Sequence, residues 1–171
     1  VKVGRASFVK THEDAQRLME SLVKVGDQAG KHVRALMTDM DTPLGYAIGN
    51  ALEVRETLDA LRGGGPADLM EVVYALGAEM LVLAGKATDL GAAESQLQEL
   101  LADGSALRCF AKNVARQGGD PAIVEDPDLL PSAPVRREVL APSAGYVVDI
   151  DPLAIGKVVV SLGGGRRQPT D

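Results

Sequence analysis

The spacing of apolar side chains in the first forty residues predicts a strand, a helix and a second strand. Four of them recur at three- and four-residue steps, which is the helical period: Leu18, Leu22, Val25 and Ala29. Thr11 precedes this face and can cap the helix, with Asp14 at the third helical position. Residues 1–3 and 32–38 are short and apolar, so we predict two strands, the second buried on both faces. This order is typical of an α/β layer.

The centre of the chain is predicted to be helical. The candidate helices cover residues 50–61, 67–86, 92–101 and 105–116. The run Gly63-Gly64-Gly65-Pro66 separates the first two, because neither glycine runs nor proline continue a helix. Residues 122–134 are rich in proline and acidic side chains, so they are predicted to form a surface linker and a subdomain boundary.

Beyond this linker the pattern returns to strands. Residues 135–141 and 145–150 are predicted to be two strands joined by the turn residues between them. Asp151 is placed to cap a last helix, with Pro152 at its first position, where a missing N–H costs nothing. The whole chain is therefore predicted to be α/β with a helical middle section.

Composition excludes several kinds of protein. The 18 basic and 24 acidic residues give a net charge of −6, and three Tyr, two Phe and no Trp leave few rings to stack on bases, which argues against a nucleic-acid partner. The most apolar stretch, residues 72–85, is interrupted by Glu79 and is too short to span a membrane. The single cysteine, Cys109, excludes an internal disulfide and is expected to be buried. No Cys or His cluster has zinc-ligand spacing.

Both ends of the chain are expected to be cut ends of a longer protein. The sequence begins at Val1 without an initiator Met or a signal segment. It ends in Gly163-Gly164-Gly165-Arg166-Arg167 and a short polar tail. The glycines and arginines of this run could hold an anion, or they could be a flexible helix exit with solvated side chains.

The strongest candidate for a site is the loop between the second strand and the next helix. A loop in that position is where open α/β sheets bind ligands. Its backbone carbonyls and the carboxylate of Glu56, about two turns into the helix, are hard oxygen donors that suit a cation. The alternative is that Gly45 and Gly49 only permit turns and that Glu53 and Glu56 lie on a solvated helix face.

Phe8 is the second candidate. It follows the small-residue turn after the first strand and could stack on a base. An aromatic residue in that position could equally be part of the core.

Several segments, in order and spacing along the whole chain, resemble thymidine and pyrimidine-nucleoside phosphorylases. They are Val1-Lys2-Val3-Gly4 with Phe8, Thr38-Asp39-Met40 through Pro43-Leu44-Gly45 to Gly49-Asn50 and Glu53, Gly65-Pro66-Ala67-Asp68-Leu69, and Leu162-Gly163-Gly164-Gly165-Arg166-Arg167. The resemblance implies residues 1–121 to be part of a large mixed-sheet α/β domain, residues 122–134 a linker, and residues 135–171 the start of a truncated C-terminal α+β subdomain.

The resemblance also implies a pentosyltransferase that splits a pyrimidine nucleoside with inorganic phosphate, giving the free base and a ribose or deoxyribose 1-phosphate. It implies a cytoplasmic homodimer without an organic cofactor, acting on small molecules and not on nucleic acid or membranes. Two alternatives stay open: a non-catalytic remnant that binds a cation or a partner protein, and a segment of a related phosphorylase acting on nucleoside monophosphates.

Only a few functional residues can be carried over. Some family members hold a monovalent cation, expected here to be K⁺, through two backbone carbonyls and a carboxylate. The residues of this chain that resemble those ligands are Leu44 and Ala47, through their carbonyls, and Glu56, through its carboxylate. Phe8 resembles an aromatic residue that flanks the pyrimidine. The family's phosphate loop and its base-binding Arg, Ser and Lys lie upstream of Val1, so no catalytic residue is assigned and the segment alone is expected to be inactive.

One motif departs from the family pattern. Where the family usually has Gly-Ser-Gly-Ala-Phe, this chain has Gly4-Arg5-Ala6-Ser7-Phe8. The second glycine is lost, and a side chain disfavours positive φ. We therefore expect the shape of this turn and the position of Phe8 to differ from the family pattern.

Overall fold

The computed structural model describes residues 1–165 as a mostly helical chain with one small parallel sheet. The strands are β1 (Lys2–Val3) and β2 (Thr38–Asp39). The six α-helices of this part are α1 (His12–Gln28), α2 (Asn50–Leu61), α3 (Ala67–Leu83), α4 (Leu90–Ala102), α5 (Ser105–Arg116) and α6 (Pro152–Ser161). The arrangement agrees with the α/β class predicted above. None of these helices is long and apolar enough to cross a bilayer.

The first helix confirms the predicted cap. The Thr11 hydroxyl accepts a hydrogen bond from the Asp14 N–H at 3.1 Å, so it satisfies one of the amides that the first turn leaves without a partner. α1 joins β1 to β2, which pair in parallel with Lys2 opposite Thr38. A parallel pair needs a crossover of this kind, and the predicted strand, helix, strand order is confirmed.

The second strand is much shorter than predicted. Residues 32–37 form no ladder, and their side chains are half-buried or exposed, so the expectation of a strand buried on both faces was wrong. The ladder is short because β1 offers few partners: Thr38 donates to the Val1 carbonyl at 3.0 Å and Met40 to the Val3 carbonyl at 2.7 Å. A strand is defined by its partner, and within residues 1–165 the segment before Thr38 has no ladder partner, although the Val1 amino group donates to the Leu36 carbonyl.

The helical block follows the predicted pattern closely. α2 and α5 have the predicted bounds, and α3 ends three residues early. α4 begins at Leu90 because the Asp89 carboxylate accepts the Ala92 N–H at 2.9 Å and so caps the helix earlier than the apolar pattern indicates. α3 and α4 approach closely at Gly77, where a Cβ would lie 2.8 Å from Leu97 Cδ1.

The segment predicted as a linker has structure in its first half. Short 3₁₀ helices cover Pro121–Val124 and Pro127–Leu129. Val124 is buried, and its carbonyl accepts a hydrogen bond from Arg62 at 2.5 Å. Arg55 forms an ion pair with Asp128 at 2.9 Å, so this connection is fastened to α2.

The two strands predicted after the linker are absent. Residues 135–141 and 145–150 form no ladder within residues 1–165, and most of their side chains are exposed. A bend lies at residues 142–144 as the turn residues suggested, but the two arms do not pair. Alternating apolar residues favour a strand only where another strand supplies hydrogen bonds and a surface to cover. The helix after them is confirmed: Asp151 accepts the Leu153 and Ala154 amides at 3.0 and 3.1 Å.

The core of the described chain is small. Leu58 is the largest fully buried side chain, and most of the other buried side chains are alanines. The accessible surface is 12,535 Å², whereas a closed monomer of 17.9 kDa has about 8,000 Å². Much of the predicted apolar face of α1, including Leu18, Leu22 and Val25, is therefore exposed. Cys109 is also exposed on α5, so its predicted burial was wrong.

Candidate functional site

The candidate site is built on the loop that connects β2 to α2, residues 40–49. The loop leaves the carboxyl end of a parallel strand, the place where open α/β sheets bind their ligands. It then enters α2 at Asn50, with Gly49 at φ +126° as the residue before the helix. Without a side-chain oxygen at that position, the start of α2 depends on partners from elsewhere.

Two carboxylates hold three consecutive amides of this loop. Asp68 Oδ2 accepts the Gly45 N–H at 2.9 Å. Glu56 Oε1 accepts the Tyr46 N–H at 2.8 Å and the Ala47 N–H at 3.0 Å. Hydrogen bonds to an ionised acceptor are stronger than neutral ones, so these contacts fix the conformation of an otherwise irregular segment.

Glu53 holds the end of the same loop. Its Oε1 accepts the Gly49 N–H at 2.9 Å. Glu53 and Glu56 therefore both bind loop amides from α2, and Glu53 is also exposed to solvent, as the alternative interpretation expected. Their neighbour Arg55 points to a different contact, the ion pair with Asp128.

The three residues predicted to hold a cation lie on this loop and on α2. Glu56 contacts Ala47, because its Oε1 accepts the Ala47 N–H. Leu44 directly precedes residues 45–47, whose amides bind the carboxylates of Asp68 and Glu56. No donor within residues 1–165 bonds to the carbonyl oxygens of Leu44 and Ala47. Among the described residues no three His, Cys, Asp or Glu side chains lie where they could hold a metal ion together, so a cation here would depend on carbonyl oxygens.

Gly45 is required by both its backbone and its surroundings. Its φ of +70° lies in the left-handed region that side chains disfavour. A Cβ at this position would lie 2.3 Å from Glu56 Oε2, far closer than two such atoms can approach. The glycine thus lets the Glu56 carboxylate close against the loop.

Asp68 is the residue of this site that the sequence analysis did not single out. It lies in the first turn of α3, directly after the Gly-Pro break, where a carboxylate usually serves its own helix. In addition to its own helix it reaches the Gly45 amide, and this hydrogen bond is the main reason that the pKa of Asp68 lies below its ordinary value. The only signal in the sequence was the resemblance of the segment around it to the family.

The turn that carries Phe8 is also well defined. Ser7 donates its N–H to the Gly4 carbonyl at 3.0 Å, and Gly4 has φ +137° with Asp41 and Met40 packed where its Cβ would be. Ala6 does not take a positive φ, so the lost glycine imposes no left-handed strain here. Phe8 is fully exposed, which excludes the alternative that it is part of the core.

Arg5 makes the most extensive side-chain contacts of this turn. Its guanidinium donates to both carboxylate oxygens of Asp149, at 2.6 and 3.0 Å. This pairing raises the pKa of Arg5 and lowers the pKa of Asp149, because each charge stabilises the other. In the sequence, Arg5 stood out only as part of the departure from the family's Gly-Ser-Gly-Ala-Phe pattern.

The candidate anion site at Arg166 and Arg167 lies outside the described residues. The glycine run before it begins close to the loop: the Gly164 carbonyl accepts the Asn50 N–H at 3.4 Å. The end of α6 and the start of α2 are therefore neighbours.

Comparison with known proteins identifies the family of this chain. The model of the "Glycosyl transferase family, a/b domain" matches residues 1–107. The chain belongs to this family. This result confirms the resemblance recognised in the sequence and agrees with the α/β character of the fold.

The family has curated relatives that match all or nearly all of the chain, over 100% of it in two cases and 97% in the Geobacillus protein. A pyrimidine-nucleoside phosphorylase of Bacillus subtilis (strain 168) is 45% identical over 171 residues, which are 100% of this chain and 40% of that protein. Proteins of the same name from Staphylococcus haemolyticus (strain JCSC1435) and Geobacillus stearothermophilus are 43% and 44% identical, over 40% and 38% of their lengths. The chain thus spans about 40% of the length of the curated relatives it matches.

Gly45→Ala is expected to lower the free energy of unfolding by more than the cost of placing alanine in the left-handed conformation of Gly45. That cost is about 1–2 kcal/mol. In addition, the Glu56 carboxylate must move away from the new Cβ, which strains its hydrogen bonds to the Tyr46 and Ala47 amides. Gly63→Ala is the matched control, because Gly63 has φ +87° but nothing within 4 Å of its Cβ position. Urea unfolding of the two variants measures the difference. Equal losses of unfolding free energy would show that Glu56 does not pack against Gly45.

The Asp149 ion pair predicts a dependence of stability on pH. Since Arg5 lowers the folded-state pKa of Asp149, the pair stabilises the fold above the unfolded pKa of about 3.9, and this contribution is lost as the pH falls through the folded-state pKa. Asp149→Asn should therefore cost more stability at pH 7 than at pH 3. In an Arg5→Gln background, which removes the charge that lowers the pKa of Asp149, this pH difference should largely disappear. Equal costs at both pH values in the Arg5 protein would contradict the prediction.

Proposed function

We propose that this chain is a segment of a pyrimidine-nucleoside phosphorylase, an enzyme that reversibly converts a pyrimidine nucleoside and inorganic phosphate into the free base and a ribose or deoxyribose 1-phosphate. The observation that carries the proposal is the 43–45% identity to three proteins of that name along essentially the whole chain. The loop of residues 40–49 supports it, because its amides are fixed by carboxylates at a sheet end where a ligand can bind.

The segment contributes only part of the site. Because it spans about 40% of the length of its curated relatives, the phosphate loop and the Arg, Ser and Lys that bind the base are proposed to lie in the remainder of the full-length enzyme. The segment alone is proposed to be inactive. The domain division at residues 122–134 and the subdomain from residue 135 belong to the same proposal, as do a homodimeric state and a cytoplasmic location.

The reaction needs positioning and charge stabilisation more than covalent chemistry. An oxocarbenium-like sugar develops positive charge between the attacking phosphate and the departing base, so residues that orient these groups and stabilise charge lower the barrier. In this chain the exposed ring of Phe8 is the candidate surface for the pyrimidine, since it offers an apolar face that no core residue covers.

A monovalent cation, K⁺ in this proposal, fits the donors of the loop. The Leu44 and Ala47 carbonyls have no protein donor in the described chain, and Glu56 Oε2 accepts none of the loop amides that Oε1 binds. All three are hard oxygen donors, which suit such an ion. When bound, the cation would supply positive charge that balances the carboxylates gathered around the loop. The residues of this chain fix the amides and thereby the direction of the neighbouring carbonyls.

The direct test is an assay of the full-length protein with thymidine, uridine and deoxyuridine, each with and without phosphate. We expect base to be released only when phosphate is present. Nucleoside monophosphates should be poor substrates, and a preference for them would favour the related monophosphate phosphorylase. No phosphate-dependent release from any substrate would contradict the proposal and favour a binding role.

The cation is tested by thermal unfolding of the full-length protein in KCl and in NaCl at equal ionic strength. We expect a higher melting temperature in KCl, and Glu56→Ala should remove the difference because it removes a ligand. Glu53→Ala is the matched control: it also removes a carboxylate from a loop amide, but at Gly49, and it should keep the difference. Identical melting curves of the unsubstituted protein in the two salts would contradict a K⁺-selective site.

A further inference from the structure

Arg5 connects three parts of the chain that are distant in sequence. Besides both Asp149 carboxylate oxygens, its guanidinium reaches the carbonyl oxygens of Asp41 at 2.9 Å and of Ile150 at 3.2 Å. These partners lie 36 to 145 residues away along the chain. One side chain therefore joins the turn before Phe8, the loop after β2 and the segment before α6.

The backbone of Arg5 is held as firmly as its side chain. The Arg5 N–H donates to Asp41 Oδ1 at 2.7 Å, and the Arg5 carbonyl accepts from Lys10 Nζ at 2.7 Å. The planar guanidinium meets the Asp149 carboxylate with two parallel hydrogen bonds, a geometry that a lysine cannot reproduce. The contact therefore fixes direction as well as distance.

α6 is tied down at both ends by these contacts and by the loop. Asp149 and Ile150, the partners of Arg5, directly precede the Asp151 cap of α6. At the other end, the Gly164 carbonyl accepts the Asn50 amide, and a Cβ on Gly49 would lie 3.7 Å from a Val159 methyl group. The first end of α6 is thus fastened to the turn before Phe8. Its second end lies beside residues 49–50, where the loop with the candidate cation ligands enters α2.

We propose that Arg5 is a positioning residue of the nucleoside site, which fastens α6 between the Phe8 turn and the loop of residues 40–49. Arg5 acts through the contacts of the turn and does not itself touch the substrate. The inference rests on the proposed phosphorylase function. Because a displaced Phe8 turn would weaken binding of the nucleoside and of the transition state alike, loss of Arg5 should raise KM for the nucleoside and leave kcat nearly unchanged.

The test uses the full-length protein with Arg5→Gln, Asp149→Asn and the double variant. Each single substitution should raise KM for the nucleoside about three- to tenfold, in the lower part of the range for a coupled pair because both side chains are partly exposed, with kcat within about twofold. The double variant should be no worse than the single ones, because both remove the same contact. Arg5→Lys should recover only part of the loss. Arg17→Gln is the matched control: within residues 1–165 Arg17 forms ion pairs with Glu13 and Asp14, both inside α1, so its substitution should leave KM unchanged.

Two results would overturn the inference. One is an Arg5→Gln variant that melts at a lower temperature but keeps its KM, which is the signature of a purely structural ion pair. The other is a double variant whose change in KM, converted to free energy, equals the sum of the changes in the two single variants. If the unsubstituted protein splits no nucleoside, the proposed function fails. Amide hydrogen exchange then tests whether Arg5 holds α6 in place. Faster exchange in residues 149–164 of Arg5→Gln supports it, and unchanged exchange overturns it.

Discussion

The site depends on backbone amides that no secondary structure satisfies. Residues 45–47 form neither helix nor sheet, so their N–H groups need other acceptors, and Asp68 and Glu56 supply them from two different helices. The loop is thereby attached to α2 and α3 at once. This attachment explains why Gly45 has no side chain, because the Glu56 carboxylate lies where its Cβ would be.

A second constraint is the large area that the chain leaves accessible to solvent. The accessible area is about half as large again as that of a closed monomer of this mass, and the apolar face of α1 is among the exposed parts. The exposed residues 135–150 share this property. Arg5 and Arg55 therefore matter for the described fold, since their ion pairs with Asp149 and Asp128 connect segments that share little buried apolar surface.

The candidate site was partly predictable. The loop position and the carboxylate of Glu56 followed from a strand end, a run of small residues and a helix, and the structure places Glu56 against that loop. Asp68 was not predictable from spacing, because nothing local links the first turn of α3 to an amide 23 residues earlier. Arg5 was equally hidden, since its partner Asp149 is 144 residues away.

The sequence by itself determined the helices, because their signals are local: Thr11 and Asp151 cap their own helices, and glycine or proline separates most of them. It determined the family for the same reason, since motifs are read residue by residue. Only the tertiary structure decided which apolar segments become strands. Residues 32–37, 135–141 and 145–150 have the composition of strands, but a strand exists only where a neighbour accepts and donates its hydrogen bonds, and that neighbour is not encoded in the strand's own residues.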